Sequence, residues 1–456
     1  MSQHKYFPHT PDDIAAMLER CQADSIDDLF SDIPADLRAD GYESLSAPMS
    51  EIEVRNYFAE LTAENTPLVC FAGAGYYDHY TPSVVANLLQ RSEYLTAYTP
   101  YQPEISQGTL QYIFEYQSMM CQLTGMDVSN ASMYDGTTAT AEAMLMCVAA
   151  ARKRNRVLIS ATVSPAVRQV VATYARYHGV QLDVIPETDG VTDRAAMQAM
   201  LADGDVAGVI LASPNWYGIL EDYSGFADDI HGAKALMVIN SHASALGVVK
   251  SPREWGADIA VGEAQSLGMP LNYGGPTLGY MCVTKALMRK MPGRIVGATV
   301  DKDGQRVFVL TLQAREQHIR REKATSNICS NQGLMTLFAA MYCSLMGAKG
   351  LREVNELGYG AAHYLADQLV QTGAVSLKYA DRPFLNEFVV KCNGTLKAAD
   401  IIDAAAAQGY LAGVALADDE LMIAVTETRT RLQIDTLVEI VKEAAAASAK
   451  KGGEEK

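Results

Sequence analysis

The run Val206-Ala207-Gly208-Val209-Ile210-Leu211-Ala212 predicts a β-strand covered on both faces, because all seven residues are apolar or glycine and Ser213-Pro214 follows. Similar apolar runs occur on both sides of it. They predict further strands at 157–160, 182–185, 236–240, 259–261 and 278–283. Helical segments lie between them, for example at 165–178 and 193–202. This alternation predicts an α/β fold with a mostly parallel central sheet and helices on both faces.

The flanking segments predict two further parts. Thr10-Pro11-Asp12-Asp13 is a helix start, and the helix should reach about Cys21. We therefore expect an N-terminal helical arm (1–65), a large domain (66–346) and a small α+β C-terminal domain (347–456). A long apolar helix should cover 332–346 and end at Gly347, with another helix at 351–372.

Composition excludes several classes of function. The 456 residues include 37 Lys and Arg against 54 Asp and Glu, which gives a net charge of −17 and argues against nucleic-acid binding. No run approaches the ~20 apolar residues of a membrane span. The eight cysteines form no CxxC pair and the histidines show no metal-ligand spacing, so we expect buried free thiols, a cytoplasmic location and no metal.

Five segments have residue types suited to a site. Glycines and tyrosines are concentrated at 71–82, tyrosines and prolines at 94–104, and a Gly-Thr-Thr step opens a helix at 134–140. A strand runs into a Gly/Pro segment at 258–276, and a basic run precedes Thr-Ser-Asn at 320–329. Each could line a cleft, but each is also compatible with an ordinary turn, cap or solvated surface.

Three strings resemble the P-protein family of the glycine cleavage system, the decarboxylating glycine dehydrogenases. They are GYYD at 75–78, YTPYQPEISQG at 98–108 and REKATSNIC at 321–329, and the similarity extends over nearly the whole chain. The resemblance implies the pyridoxal-phosphate (PLP) transferase fold type I, which is aspartate aminotransferase-like. It also implies an oxidoreductase that decarboxylates glycine with PLP, releases CO2 and passes the aminomethyl group to the lipoyl arm of the H-protein.

The residues needed for PLP chemistry are replaced in this chain. By the resemblance, Gln265 stands where the catalytic subunit has its Schiff-base lysine, and an amide cannot form an imine. Asn240 stands at the end of the strand that should deliver an acid to the pyridine nitrogen. Ser164 and Thr109 also depart from the family pattern, in which His and Arg are common. The length is about half that of the single-chain enzymes, which implies an alpha subunit that is inactive when isolated.

The resemblance further implies that this chain completes a site at a subunit interface. Thr325 and Asn327 would reach the phosphate of PLP held by the beta subunit. Tyr98, Tyr101 and Gln102 would line the glycine or lipoyl pocket. The partners would be the beta subunit, as a heterodimer or an α2β2 tetramer, and transiently the lipoylated H-protein.

Three alternatives stay open. The named side chains could serve interface packing alone. The chain could be an independent homodimeric PLP enzyme that uses Lys250 or Lys323, or it could be a purely structural scaffold.

Overall fold

The computed structural model describes residues 6–39, 45–95, 98–313, 317–324, 326–329 and 331–454. These residues fall into two compact units, Met1–Thr66 and Pro67–Lys456. The first unit contains helices α1 (Pro11–Cys21) and α2 (Glu51–Ala63) and short 3-10 helices at Ile26–Phe30 and Ala35–Leu37.

Helix α1 starts where the sequence predicts. Thr10 Oγ1 accepts a hydrogen bond from the Asp13 N–H, and the Asp13 carboxylate accepts one from the Thr10 N–H at 2.7 Å. These two bonds satisfy N–H groups that a helix start would otherwise leave without partners.

The second unit contains the remaining elements. Its helices are α3 (Ser83–Leu89), α4 (Ser92–Leu95), α5 (Gln107–Thr124), α6 (Gly136–Ala151), α7 (Pro165–His178), α8 (Arg194–Leu201), α9 (Phe226–Gly232), α10 (Gln317–Arg320), α11 (Gly333–Gln371), α12 (Ala398–Ala406) and α13 (Arg431–Glu454). Its longer strands are β3 (Arg156–Ser160), β4 (Gln181–Ile185), β7 (Val206–Ala212), β8 (Leu236–His242), β9 (Ile259–Glu263), β10 (Gly279–Val283), β11 (Ile295–Val300), β12 (Arg306–Thr311), β14 (Glu387–Cys392), β16 (Val414–Ala417) and β17 (Glu420–Ala424). The short strands are β1 (Val69–Cys70), β2 (Val128–Ser129), β5 (Glu187–Thr188), β6 (Val191–Thr192), β13 (Val375–Leu377) and β15 (Tyr410–Leu411). Short 3-10 helices occupy Ala243–Gly247, Lys285–Lys290 and Arg321–Lys323.

The central sheet has the predicted, mostly parallel character. Its strand order is β2-β10-β9-β8-β7-β3-β4, and only β10 runs against its neighbours. Every residue of β7 is buried, as expected for a strand covered on both faces. The hairpin β11–β12 was not predicted, because its alternation of buried and exposed residues is short and contains few apolar runs.

This topology gathers several chain segments at one edge. Parallel strands β7, β8 and β9 end there at Ala212, His242 and Glu263, and α6 begins there at Gly136. Open α/β sheets bind ligands outside the carboxyl ends of their strands. This edge is therefore where a site is expected.

Residues 362–444 enclose a separate apolar core. It is built around a four-stranded antiparallel sheet of order β13-β14-β17-β16, with Leu365, Phe388 and Leu437 among its buried side chains. As predicted, the helical conformation breaks at Gly347, where φ is +60°. Among the described residues α11 is the one helix long and apolar enough to cross a membrane, but half of its most apolar window is buried inside the protein, as in a core helix.

All eight cysteines are free thiols. The expectation that they are buried is confirmed for Cys147, Cys282 and Cys392, whereas Cys70, Cys121 and Cys343 are partly buried and Cys21 and Cys329 are exposed. Cys21 lies between Arg20 and Gln22 in the last turn of an exposed helix, and Cys329 lies in an irregular segment, so the fold covers neither thiol.

Candidate functional site

A small cavity of about 110 Å³ lies at the carboxyl edge of the central sheet. It is lined by the strand ends, by the start of α6 and by the glycine- and tyrosine-rich loop after β1. The polar side chains of its lining include Tyr76, Asn240, His242, Glu263 and Glu387. The sheet edge therefore carries a polar cavity at the place that the topology predicts.

Gln265 lies beneath this cavity, is 1% exposed and links two chain segments by side-chain hydrogen bonds. Its Oε1 accepts from the Tyr77 N–H at 3.0 Å, and its Nε2 donates to the carbonyls of Tyr77 and Met269 at 2.9 and 2.6 Å. The amide thus uses both of its ends to fasten the loop at 77 to the turn at 269. An amine could donate to the two carbonyls but could not accept the third hydrogen bond.

The side chains of Asn240 and His242, near the end of β8, are neutral. Asn240 Nδ2 donates to Thr140 Oγ1 at 2.7 Å. The His242 ring centroid lies 4.6 Å from that of Tyr77, and burial, aided by the charge of His79, lowers the pKa of His242 to about 3. An imidazole with this pKa is uncharged at neutral pH. Sequence reasoning did not single out His242, although it lies two residues after Asn240.

Two buried carboxyl groups complete the cavity, and neither was singled out from the sequence. Glu263 accepts hydrogen bonds from three backbone N–H groups, and Glu387 accepts from the Ala74 N–H at 2.6 Å and the Tyr77 hydroxyl at 3.0 Å. Burial raises the pKa of Glu263, although its backbone donors oppose this, and burial raises the pKa of Glu387 to about 7. Both partners of Glu387 lie more than 300 residues away in the chain, so no local pattern could reveal this contact.

A second group of residues joins two of the three strings that carry the family resemblance. Buried Arg294 donates to the Tyr101 hydroxyl at 2.9 Å and to the Cys329 carbonyl, and its guanidinium carbon lies 5.2 Å from the Tyr101 ring centroid. The Cys329 N–H donates to the Tyr134 hydroxyl at 3.2 Å. We call Arg294, Tyr101, Cys329 and Tyr134 the arginine bridge.

Some of the site residues predicted from the sequence lie at or next to the arginine bridge. Tyr101 is itself a member of the bridge. Exposed Asn327 lies two residues before Cys329, another member. Tyr98 and Gln102 are exposed on the same loop as Tyr101. Thr325, predicted to reach a phosphate, lies outside the described residues.

The cavity does not fit covalently held PLP. The residues that line it, all of them described, include no lysine, and the neighbouring Gln265 is a hydrogen-bonded amide. The volume of about 110 Å³ is well below the roughly 300 Å³ or more typical of small-molecule sites. This cavity therefore does not support PLP chemistry.

The fold belongs to the class of PLP-dependent transferases of fold type I. A sphingosine-1-phosphate lyase from Burkholderia pseudomallei aligns with 92% of this chain and 96% of its own at a TM-score of 0.68, with 12% identity, and supports the fold alone. A crystal structure of glycine decarboxylase (P-protein) of the glycine cleavage system, in inhibitor-bound form, aligns with 97% of this chain and all of its own. Its TM-score is 0.88 and its sequence identity is 40%.

The family model for the glycine cleavage system P-protein matches residues 4–441, and the chain belongs to that family. A relative from Moorella thermoacetica, "Probable glycine dehydrogenase (decarboxylating) subunit 1", is 49% identical over 95% of this chain and 98% of its own. The expected fold class, the family resemblance and the assignment to an oxidoreductase subunit are confirmed.

Proposed function

We propose that this chain is the alpha subunit of a two-subunit glycine decarboxylase and has no working catalytic site of its own. The partner beta subunit holds PLP and decarboxylates glycine, and the aminomethyl group passes from there to the lipoyl arm of the H-protein. The observation that carries the proposal is that Gln265, which by the family resemblance stands in the place of the lysine, is a buried amide held by three hydrogen bonds. The free thiols, two of them exposed, fit a reducing cytoplasm.

Neither alternative lysine supports an independent enzyme. The Lys250 Nζ lies 3.8 Å from the Trp255 ring centroid and lines a different cavity, of about 450 Å³. Lys323 is exposed in a 3-10 helix. Neither belongs to the lining of the cavity that contains Asn240 and His242.

The contribution of this chain to the partner's site is the surface above the arginine bridge. Tyr98, Tyr101, Gln102 and Asn327 are exposed polar or aromatic residues, and the loop and segment that carry them meet at one buried guanidinium. A site that two subunits share needs its exposed polar groups to be held in place by buried contacts. The arginine bridge provides such contacts beneath these residues. Thr325 belongs to the same proposal.

The test is reconstitution with the beta subunit and measurement of glycine-dependent CO2 release. Tyr101→Phe removes a hydrogen bond to a charged group, worth about 1.5–3 kcal/mol, so kcat/KM should fall roughly tenfold or more. Asn327→Ala should also lower the rate. Tyr177→Phe, on an exposed tyrosine of α7, is the matched control and should leave the rate unchanged.

The outcomes separate the alternatives. Unchanged activity of both site variants, with co-purification of the two subunits intact, would identify this chain as a scaffold. The isolated chain mixed with PLP should yield no borohydride-trapped lysine adduct. A trapped adduct together with glycine decarboxylation would establish the independent enzyme instead.

A further inference from the structure

Glu263, the last residue of β9, has its carboxylate buried among backbone donors from three segments. Its Oε1 accepts from the Gln265 and Leu278 N–H groups at 3.0 and 2.9 Å, and its Oε2 accepts from the Gly136 N–H at 3.0 Å. The Tyr76 hydroxyl lies 3.5 Å from the same Oε2. The residue is 8% exposed, and both of its carboxyl oxygens have protein donors.

The donors around Glu263 form an anion cradle. Gly136 is the first residue of α6, a 16-residue helix whose positive dipole end faces the carboxylate. Free N–H groups at a helix start beside the carboxyl ends of parallel strands are the usual place for a phosphate in folds of this kind. In this chain two carboxyl groups already occupy that place, since Glu263 accepts from the Gly136 N–H and Asp135 accepts from the Thr138 N–H at 2.7 Å.

The cavity beside Glu263 is lined by polar groups, as a ligand site would be, but it is too small for a cofactor. Its volume is about 110 Å³, and two buried atoms of its lining, Ser241 Oγ and His242 Nε2, have no hydrogen-bond partner among the described residues. A carboxylate is smaller than a phosphate but presents the same kind of acceptor oxygens to N–H donors. Glu263 can therefore satisfy the cradle without any ligand.

We propose that Glu263 is a built-in substitute for a ligand phosphate and that it closes the cavity of this chain to phosphorylated cofactors, independently of the missing lysine. The inference rests on the proposed function, since it explains why the alpha subunit itself takes up no PLP. It assigns Glu263 a role that adding a lysine at position 265 would not remove.

The experiment removes the carboxylate and asks whether a free anion returns to the cradle. The full-length variant Glu263→Ala leaves three N–H donors around an empty space. We expect its thermal unfolding temperature to fall, and to recover saturably as inorganic phosphate is added. We expect phosphate to bind it at least roughly tenfold more tightly than it binds the wild type, by equilibrium dialysis.

Glu263→Gln is the matched control, because its amide fills the same volume without charge. Phosphate should raise the unfolding temperatures of this variant and the wild type only by a shared, non-saturating salt effect. Equal phosphate binding by the wild type and Glu263→Ala, or no gain by Glu263→Ala, would overturn the proposal.

If Glu263→Ala does not fold in either buffer, the wild type still decides. Saturable binding of PLP that inorganic phosphate displaces would show an open cradle and overturn the proposal. Absence of saturable binding of inorganic phosphate by the wild type, measured by equilibrium dialysis, would support it, because the missing lysine affects PLP but not inorganic phosphate. Failure here leaves the Tyr101→Phe reconstitution result unaffected, since that experiment reports on a different surface, so the two proposals fail separately.

Discussion

The buried carboxyl of Glu387 provides a test that can be worked out from its surroundings. Glu387 lies at the start of β14 and is 3% exposed, and it holds the Ala74 N–H and the Tyr77 hydroxyl. Burial raises its pKa from 4.5 to about 7. The perturbation is Glu387→Gln, which keeps the shape and an acceptor oxygen but cannot ionise.

The expected magnitude follows from linkage. Between pH 4.5 and about 7 the unfolded chain releases a proton that folded Glu387 keeps, so this group lowers the free energy of unfolding as pH rises through that window. The stabilisation is complete below the unfolded pKa and lost above the folded one. At about 1.4 kcal/mol per pKa unit, the loss is roughly 3 kcal/mol.

The assay is urea unfolding of wild type and variant between pH 4 and 8. The free energy of unfolding of the variant, minus that of the wild type, should rise by roughly 3 kcal/mol across this range. Glu142, whose pKa burial also raises to about 7, is present in both proteins and cancels in the difference. Asp403→Asn, at an exposed position, is the control and should show no such rise. A flat difference for Glu387→Gln would refute the reasoning.

Three further predictions concern Gln265 beneath the cavity, the arginine bridge and one glycine. Gln265→Lys should lower the free energy of unfolding by about 2–4 kcal/mol, because it buries an amine and leaves an N–H without an acceptor, and mass spectrometry after PLP and borohydride should find no adduct at that lysine. Arg294→Lys should cost about 1–3 kcal/mol and lower CO2 release after reconstitution while co-purification persists, since one ammonium cannot replace the two-pronged guanidinium; a full rate would contradict this role. Gly268→Ala places a Cβ 2.3 Å from the Tyr342 ring at a φ of +75° and should lower the free energy of unfolding in urea by roughly 2–4 kcal/mol. Gly179→Ala is the control, because its φ is +65° but the space around it is open, and it should lower the free energy of unfolding by about 1 kcal/mol. Equal losses of unfolding free energy in the two variants would show that the Tyr342 ring moves aside.

Local chemistry was sufficient to predict the longer strands of the central sheet and several helices, but not the β11–β12 hairpin. The seven residues of β7, the Thr10 cap of α1 and the break at Gly347 are encoded within a few neighbouring residues. Apolar runs of strand length predicted a parallel sheet, because only strands covered on both faces tolerate them. The family strings at 98–108 and 321–329 are also local patterns. They predicted that these two surface segments carry site residues.

The placement of the site residues was not predictable in this way. Glu263 meets the start of α6 127 residues away in sequence, and Arg294 meets Tyr101 193 residues away. No periodicity or spacing relates residues that far apart. The resemblance therefore drew attention to Gln265, but the sequence could not show that the Glu263 carboxylate accepts from backbone N–H groups at the start of α6 and at Leu278.

The sequence by itself determined the longer strands of the central sheet, the fold class and the absence of a lysine at position 265, because each depends on residue type and short-range pattern. Only the tertiary structure decided that Glu263 accepts from the Gly136 N–H at the start of α6 and that Arg294 joins the tyrosine loop to the segment at 326–329. The physical reason is that hydrogen bonds and buried charges are satisfied by whichever groups the folded chain brings within about 3 Å, and that proximity arises only when the sheet is assembled.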